Sequence, residues 1–226
     1  MIRGPRLLLL GKQGAGKGTQ ASLLAEHYGV THLATGEVLR AAARSGTRFG
    51  LEAKRYMDEG ELVPDDITVG VVEERFGDNG ELEHGFVLDG FPRTAAQAEE
   101  LARILGEHDL DLVVALEVPT EVVLDRLAGR RVCKDCGAIY HVSAPPEHPW
   151  DCDVCGGEVV QRDDDQEDAI KRRLELYEQE TQPLIAYYRA QAVLVDIDGV
   201  GETEVVFSRL VDAVDGKYER RAGAPA

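Results

Sequence analysis

Residues 7–20 have the sequence LLLLGKQGAGKGTQ, in which four leucines precede a glycine-rich turn. A short continuous apolar run predicts a strand that is buried on both faces, as in a parallel sheet. The residues that follow, 17–26, predict a helix with Leu23 and Leu24 facing that sheet. A strand, a glycine turn and a helix in this order are the setting of a phosphate-binding loop. The predicted loop residues are Gly14, Ala15, Gly16, Lys17, Gly18 and Thr19.

The loop departs at one position from the general pattern, G-x-x-x-x-G-K-[ST]. Gly18 follows Lys17, and the hydroxyl of Thr19 comes one residue later. We expect Lys17 to reach the outer phosphates of a nucleotide and a hydroxyl to face a magnesium ion. The alternative is a glycine-rich turn without a ligand, and the flanking strand and helix argue against it.

The composition sets limits on the class of protein. A chain of 226 residues with 43% hydrophobic residues can form one domain with a substantial core, and small insertions are compatible with this length. No apolar run is long enough to span a membrane, and residues 1–5 lead straight into the first strand, which leaves no room for a signal peptide. We therefore expect a cytoplasmic protein without a membrane partner. The formal net charge of −17 argues against a nucleic-acid partner.

Strands and helices alternate along the rest of the chain. Further buried strands are predicted at 86–90, 112–118 and 193–197, with helices between them. Residues 35–44 and 51–59 predict two helices outside this alternation, with Thr35 at or near the start of the first. A long helix is expected over 166–188, bent or interrupted at Pro183, and a final helix over 202–214 before a disordered tail at 220–226. This pattern predicts an α/β fold with a central parallel sheet covered on both faces.

Asp89 ends the second predicted strand, which places it beside the loop at the carboxyl edge of the sheet. An aspartate there suits a magnesium ion, held directly or through water. The alternative is an aspartate that caps a helix or a turn.

Arginines near loop–helix junctions indicate the chemistry. Guanidinium groups match phosphate oxygens with paired hydrogen bonds, and phosphoryl transfer needs positive charge around the moving group. A single arginine would more often be a surface residue, so the set matters only together with the motifs. The set comprises Arg40, Arg93, Arg126, Arg130, Arg162 and Arg173.

Four cysteines form two C-x-x-C pairs that are separated by fifteen residues. They are Cys133, Cys136, Cys152 and Cys155. This spacing is typical of a zinc ribbon in which four thiolates hold a structural zinc ion. Two disulfides are the alternative, which a cytoplasmic setting disfavours. His141 and His148 are alternative ligands, although surface or packing roles suit them better.

The sequence resembles bacterial adenylate kinases of the long form, which carry zinc in a lid. The matching stretches are 14–20, 35–40, 61–65, 85–94 with Gln97, 125–131, 162–167 and 171–174. The resemblance covers nearly the whole chain. It implies a P-loop NTPase-like three-layer fold with a core of 1–34, 65–129 and 165–226, a helical monophosphate-binding insertion at 35–64 and a zinc-ribbon lid at 130–164. It also implies a monomer.

The resemblance implies the reaction Mg·ATP + AMP ⇌ 2 ADP, with a lid that closes over the substrates. For ATP it implies the loop 14–19, Arg130, Ile139, Tyr140 and Gly201. For AMP it implies Thr35, Arg40, Glu61, Leu62, Val63, Gly90, Phe91, Pro92, Arg93, Gln97, Arg162 and Arg173. For the transfer itself it implies Lys17, Arg93, Arg126, Arg130, Arg162 and Arg173. Magnesium and structural zinc are the implied cofactors.

Four residues depart from the family's usual pattern. Lys12 and Gln13 replace a small residue and a proline, Glu37 replaces an aspartate, and Asp163 replaces a basic residue. Two other functions remain open at this point. One is a kinase for another nucleoside monophosphate on the same fold. The other is a zinc-ribbon protein that binds a partner or nucleic acid, which the acidic ribbon disfavours.

Overall fold

The computed structural model describes residues 4–78 and 81–222. In this part of the chain eight strands form: β1 (Arg6–Leu10), β2 (Thr31–Ala34), β3 (Phe86–Asp89), β4 (Leu112–Glu117), β5 (Arg130–Cys133), β6 (Ile139–His141), β7 (Val159–Val160) and β8 (Leu194–Asp198). Five of them make a parallel sheet in the order β2-β3-β1-β4-β8. The other three make a small antiparallel sheet in the order β6-β5-β7.

The described residues form ten α-helices: α1 (Lys17–Tyr28), α2 (Thr35–Arg44), α3 (Arg48–Asp58), α4 (Asp65–Asp78), α5 (Glu81–His84), α6 (Ala95–Leu105), α7 (Thr120–Gly129), α8 (Glu167–Leu176), α9 (Pro183–Ala190) and α10 (Thr203–Ala222). A short 3-10 turn occupies Asp163–Asp165, and a π-helical stretch, Tyr177–Thr181, joins α8 to α9. The predicted α/β architecture is confirmed.

The leucine strand β1 lies at the centre of the parallel sheet and contributes side chains to the cores on both faces. Leu7 and Leu9 pack in a core with Leu24 of α1 and with residues of α7 and α10. Leu8 and Leu10 pack in a second core with Phe86 and with residues of α6 and α9. Because side chains alternate along a strand, four consecutive leucines supply two residues to each core. The three-layer arrangement follows from this division.

The sheet also sets the position of the functional loops. In the parallel register, Leu9 of β1 lies beside Asp89 of β3, and Asp89 lies beside Ala34 of β2. The chain segments that follow these three strands therefore emerge at the same carboxyl edge. They are the glycine loop before α1, the start of α2, and the turn that leads to α6.

Two small units stand on this edge. Helices α2 and α3 pack around Leu39, Ala53 and Val63. The three-stranded sheet packs around Cys133, Cys152 and Val159. Neither cluster is large, so each unit depends on contacts beyond its own apolar core.

Several predicted details differ from the structure. Leu24 is buried, whereas Leu23 is half-buried and does not belong to the core. Thr35 begins α2, in agreement with its predicted place at or near the N-cap, and its hydroxyl donates to the carbonyl of Asp89 (3.3 Å). Helix α10 extends to Ala222, so the predicted tail begins later, and residues 223–226 lie outside the described part.

The long helix predicted over 166–188 is interrupted before Pro183. The amide of Gln182 donates to the carbonyl of Tyr177, five residues earlier, at 2.8 Å. A proline cannot donate to the carbonyl four residues before it, and its ring crowds that carbonyl. The wider π turn absorbs this conflict, and Pro183 becomes the first residue of α9.

Within residues 4–78 and 81–222, no helix has both the length and the apolar character needed to cross a membrane.

Candidate functional site

The glycine loop presents its backbone to a cleft. Gly16 is the N-cap of α1 with φ of 99°, and Gly14 has φ of 76°. A Cβ atom at Gly14 would lie 2.8 Å from Leu127, so the loop sits tightly on α7. Gly16 has no side chain with which to cap α1. The first amides of the helix are therefore directed to whatever binds in the cleft.

Lys17 is folded back onto the loop. Its Nζ donates to the carbonyls of Gly11 (2.7 Å) and Lys12 (2.8 Å). Burial lowers its pKa to about 8, and the nearby Asp89 carboxylate partly opposes this. The ammonium group is thus held at the cleft with two weak carbonyl partners and no ion pair, which leaves it available to an anion.

Gly18 packs against Asp89. A Cβ atom at Gly18 would lie 3.3 Å from Oδ2 of Asp89, closer than most real contacts of this kind. The carboxylate would therefore have to shift by a few tenths of an ångström to admit a Cβ atom directly after the lysine. The hydroxyl of the exposed Thr19 lines the same cleft one residue later.

The cleft has a volume of about 1010 Å³. Among the described residues that line it, eight side chains are cationic and three are carboxylates. A positive cleft in a chain of net charge −17 indicates an anionic ligand. The lining of the cleft includes all six arginines of the predicted set: Arg40, Arg93, Arg126, Arg130, Arg162 and Arg173.

Acidic side chains hold two of these arginines in place. Arg130 makes a two-pronged contact with Asp165, through Nε to Oδ2 at 2.7 Å and through Nη2 to Oδ1. Arg173 donates to the carboxylate of Asp164 at 3.0 Å and to its carbonyl at 3.1 Å. The 3-10 turn places these two neighbouring acids on different arginines.

A single carboxylate joins α2 to the segment around Arg162. Glu37 accepts from Arg40 at 2.7 Å and from Arg162 at 2.8 Å. Burial acts to raise the pKa of Glu37, but the hydrogen bond from Arg40 and the charges of Arg40 and Arg162 lower it overall. Glu37 is therefore ionised at neutral pH.

The remaining two arginines are held by backbone carbonyls. Arg126 donates to Ala15 in the loop and to Gly199 after β8, each at 3.2 Å. Arg93 donates through Nε to Gly90 at 2.9 Å. Carbonyls do not neutralise a guanidinium, so both keep their full charge toward the cleft.

Burial affects the arginines directly. It lowers the pKa of Arg162 to about 10 and that of Arg173 to about 10, and neighbouring arginines add to the effect. In Asp164, burial acts to raise the pKa, but Arg173 and Arg40 lower it overall. All three groups are charged at pH 7, and the crowded positive charge is relieved when an anion enters.

A smaller cavity of about 40 Å³ lies beside the cleft, between α2, α3 and the turn before α6. Most of the residues predicted for AMP line it: Thr35, Arg40, Glu61, Leu62, Val63, Gly90, Arg93, Gln97 and Arg173. Pro92 and Arg162 line the larger cleft instead. The side chain of Phe91 lines neither, because it is fully buried in the core.

Gln97 shows how this cavity is built. Its side-chain oxygen accepts from the amide of Arg93 (2.8 Å), and its side-chain nitrogen donates to Asp65 (2.6 Å). The hydroxyl of Thr94 caps α6 by accepting from the amide of Gln97 (3.2 Å). Gln97 thus fixes the Arg93 turn and has one side-chain hydrogen left for a ligand.

At the opposite end, Ile139, Tyr140 and Gly201 line the cleft as predicted for ATP. Ile139 is half-exposed, and Gly201 has φ of 129°. Tyr140 also packs against the core of the small sheet, and its hydroxyl contacts Cys152 and Asp153.

The four cysteines come together as free thiols, which rules out two disulfides. Their sulphur atoms all lie within 4.8 Å of one another, and the pairs Cys133–Cys155 and Cys136–Cys152 are each 3.5 Å apart. Four thiolates about 2.3 Å from one zinc ion would be separated by somewhat less than 4 Å. The donor set and its spacing therefore fit a tetrahedral zinc ion.

The turns around the cysteines fit this arrangement. Gly137 (φ 77°) and Gly156 (φ 73°) each follow a C-x-x-C pair, and each amide closes a turn onto the first cysteine of its pair. His141 contacts Ser143 (2.6 Å) and does not belong to the cluster. Nor does His148, so in the described chain the four cysteines alone make up the group.

Comparison with known proteins gives the family. The adenylate kinase family model matches residues 9–193. An adenylate kinase of Methanosarcina mazei is 50% identical over 94% of this chain and 99% of that protein. The chain belongs to the adenylate kinase family. Two further adenylate kinases are similar to this chain. That of Syntrophotalea carbinolica is 49% identical over 92% of this chain and 98% of that protein. That of Archaeoglobus fulgidus is 48% identical over 90% of this chain and 95% of that protein.

Within this adenylate kinase, the two unusual loop residues bind partners outside the glycine loop. Lys12 donates to Thr120 at 2.9 Å and lies 3.7 Å from Glu178. Gln13 lines the cleft and donates to the carbonyl of Ile170 at 3.0 Å. Both side chains tie the loop to neighbouring helical segments.

Three residues in or behind the site are not predicted from the sequence: Asp164 lines the smaller cavity, Asp165 is buried against Arg130, and His32 lines the cleft. Asp164 and Asp165 follow Arg162 directly, and their proximity to so many arginines was a usable signal. His32 lines the cleft from β2, and nothing in the sequence distinguishes it from a surface histidine. Its Nδ1 contacts the hydroxyl of Ser22 (3.2 Å).

Proposed function

We propose that this adenylate kinase transfers the terminal phosphoryl group of Mg·ATP to AMP, reversibly, to give two ADP. The observation that carries the proposal is the positive cleft, with the glycine loop at one end and the smaller cavity at the other. A reaction between two nucleotides needs two sites that share one set of cations.

We assign the two nucleotides to the two ends. ATP lies on the glycine loop, with its base and ribose toward Ile139, Tyr140 and Gly201. AMP lies at the end of the cleft that borders the smaller cavity, with its phosphate toward Arg40 and Arg93. The cavity, at about 40 Å³, is too small for a nucleotide, so α2 and α3 must move apart from the turn before α6 to admit AMP. Arg173, which lines both spaces, and Arg162, which lines the cleft and shares Glu37 with Arg40, face the phosphates of both nucleotides.

The chemistry rests on positioning and charge. The phosphate oxygen of AMP is already an anion near neutral pH, so no general base is required. Lys17, Arg93, Arg126, Arg130, Arg162 and Arg173 stabilise the charge that spreads over the transferred group. Because Asp164, Asp165 and Glu37 fix several of these arginines before substrate enters, little reorganisation is needed during transfer.

Asp89 and Thr19 are the residues that we assign to magnesium, with Asp89 acting through water. Magnesium supplies positive charge to the ATP phosphates. Two observations support the assignment of Asp89 to magnesium. Asp89 lies at the carboxyl edge of the sheet, and its carboxylate is close to Gly18 of the glycine loop.

We propose that residues 35–64 and 130–164 act as units that move against a core of 1–34, 65–129 and 165–226. The lid, residues 130–164, carries Arg130 and Arg162 onto the phosphates and excludes water, which would otherwise accept the phosphoryl group. The four cysteines hold zinc, which stabilises a unit whose own apolar core is small.

We also propose a cytoplasmic monomer. Free thiols in a metal-binding arrangement suit a reducing compartment. Both nucleotide sites are formed within one chain, so the reaction needs no second copy.

The choice of acceptor is tested by product analysis. Purified protein is mixed with Mg·ATP and, separately, with AMP, GMP, CMP, UMP or dTMP, and the nucleotides are separated by chromatography. We expect rapid conversion of AMP and slow conversion of the others. Faster conversion of another monophosphate would retain the fold and the arginines but overturn the assignment of AMP.

The role of the arginines is tested at Arg130. In R130K the two-pronged contact with Asp165 is lost, because an ammonium lacks the planar fork. We expect kcat to fall by about 100-fold with little change in melting temperature. The matched control is R189K, since Arg189 pairs with Asp196 on the exposed surface away from the cleft. A kcat for R130K equal to that of R189K would remove Arg130 from the mechanism.

A further inference from the structure

Tyr140 connects the cysteine cluster to the nucleotide cleft. Tyr140 is one of the residues that line the cleft, and its ring packs against the small core that contains Cys133 and Cys152. Its hydroxyl lies 3.4 Å from Sγ of Cys152 and accepts from the amide of Asp153 at 2.9 Å. One side chain therefore touches both the metal-binding group and the space assigned to ATP.

The direction of these hydrogen bonds is fixed by chemistry. A cysteine that binds zinc is a thiolate, which can only accept a hydrogen bond. The hydroxyl of Tyr140 must then donate its proton to Cys152, and its lone pair accepts from Asp153. Both bonds can exist together, and both hold the ring in one orientation.

The cluster also lies directly behind the wall of the cleft. Cys136 and Gly137 line the cleft, as do Ile139 and Tyr140 on β6. Tyr140 is paired with Arg131 of β5, the residue next to Arg130. A change in the orientation of Tyr140 would thus alter the wall of the cleft near a charged residue of the transfer site.

We infer that Tyr140 is a positioning residue that couples zinc retention to ATP binding. The inference rests on the proposed zinc and ATP sites. The hydroxyl of Tyr140 stabilises the Cys152 thiolate in the zinc-bound state, and the bound zinc holds the Tyr140 ring where ATP meets it. Coupling of this kind is reciprocal in binding free energy, so ATP must also raise the affinity for zinc, and we expect this to appear as slower loss of zinc.

The test uses Y140F, which keeps the ring and removes both hydrogen bonds. The matched control is Y187F, since Tyr187 is an exposed residue of α9 outside the cleft. Zinc transfer from the full-length protein to a chromogenic chelator is followed without nucleotide, with ATP and with AMP. Loss of an outer partner of a metal ligand commonly weakens metal binding by about 10–100-fold.

We expect Y140F to release zinc at least about tenfold faster than wild type and Y187F. We also expect ATP, but not AMP, to slow zinc release in wild type, and this protection to be lost in Y140F. Equal release rates in Y140F and Y187F would overturn the inference. Faster release with ATP protection intact would overturn the coupling.

Cobalt substitution provides a readout that does not depend on release. The thiolate-to-cobalt absorption band reports the electron density on the sulphur atoms, which a hydrogen bond from Tyr140 lowers. We expect the band to shift in Y140F and to stay in place in Y187F, whereas an unshifted band in both would contradict the bond to Cys152. If wild-type protein bound no zinc, both the zinc site and this inference would be refuted. The proposed kinase reaction would be unaffected, because the product analysis tests it separately.

Discussion

Gly18 is the residue at which the loop departs from the general phosphate-binding pattern, and Asp89 gives the reason. The Asp89 carboxylate lies 3.3 Å from the place that a Cβ atom at position 18 would take, so a side chain there would crowd it. The loop and the end of β3 are therefore adapted to each other. The absence of a side chain after Lys17 lets an acidic group approach the phosphate site closely.

We expect G18A to push the Asp89 carboxylate away by a few tenths of an ångström and to lower kcat/KM for Mg·ATP by about tenfold. The control is G70A, because Gly70 lies on the exposed side of α4 with open space around it. G70A should keep full activity and gain about 0.5–1 kcal/mol of stability. Steady-state kinetics and thermal melting of both variants check this, and unchanged kinetics in G18A would contradict it.

Lys17 gives the cleft a pH dependence. Its pKa of about 8 means that the empty protein loses this positive charge as pH rises through that value. Raising pH should therefore weaken ATP binding, by up to about tenfold per unit once Lys17 is mostly neutral. Calorimetric titration with ATP between about pH 7 and 9.5 measures this. The control is K17R, in which the positive charge persists. Its affinity for ATP should be lower than that of wild type but should not vary with pH over this range. An ATP affinity of wild type that did not change with pH would argue against the role of Lys17.

At the level of elements, the predictable features were those carried by short stretches of sequence. The leucine run of β1, the glycine loop and Asp89 at the end of β3 follow from local patterns, because burial and turn geometry act on neighbouring residues. The three consecutive aspartates at Asp163–Asp165 are different. Asp163 is exposed, while Asp164 and Asp165 are buried against Arg173 and Arg130.

Only the geometry of the 3-10 turn distinguishes these three identical residues, and that geometry depends on elements far away in sequence. The contact between the Tyr140 hydroxyl and Cys152 also depends on how distant segments fold together, so the sequence does not predict it. The π turn before α9 shows an intermediate case. Pro183 predicts an interruption, but its form depends on how α8 and α9 pack on the core.

The proposed lid has a small apolar core, so we expect its stability to depend on zinc. Its apolar core comprises Cys133, Cys152 and Val159, with Ala138 and Tyr140 packed against it. We expect removal of zinc by a chelator to lower the melting temperature by roughly 5–10 °C, as for a loss of about 2–3 kcal/mol. At temperatures well below melting, turnover should fall by less than about half.

Calorimetry and a coupled assay on the same sample measure these two effects, and zinc added back should restore the melting temperature. If metal-free protein melted at the same temperature but lost all activity, a structural role for zinc would be wrong.

At the level of the whole molecule, the lid and residues 35–64 meet across the mouth of the cleft. Glu37 bonds to Arg162, and Lys54 of α3 lies 3.4 Å from Asp163. The Lys54–Asp163 pair is solvent-exposed, so its contribution is small, about 0.2–1 kcal/mol. A small energy suffices to shift an equilibrium between open and closed states.

We expect K54E to repel Asp163, favour opening, and raise the KM for AMP by about two- to fivefold. The double variant K54E/D163K should recover most of the loss. K134E serves as the control, because Lys134 pairs with Glu158 inside the lid and does not bridge the cleft. If K54E and K134E had the same KM, or the double variant recovered nothing, the exposed pair would have no part in closure.

The central claim is that one positive cleft holds two nucleotides and passes a phosphoryl group between them. Incubation with Mg²⁺ and ADP as the only nucleotide tests it most directly, because ADP must then occupy both ends. Products are followed by phosphorus NMR. We predict equal amounts of ATP and AMP and no inorganic phosphate. Release of phosphate with AMP would indicate transfer to water, and unchanged ADP would mean that the two ends of the cleft do not exchange a phosphoryl group.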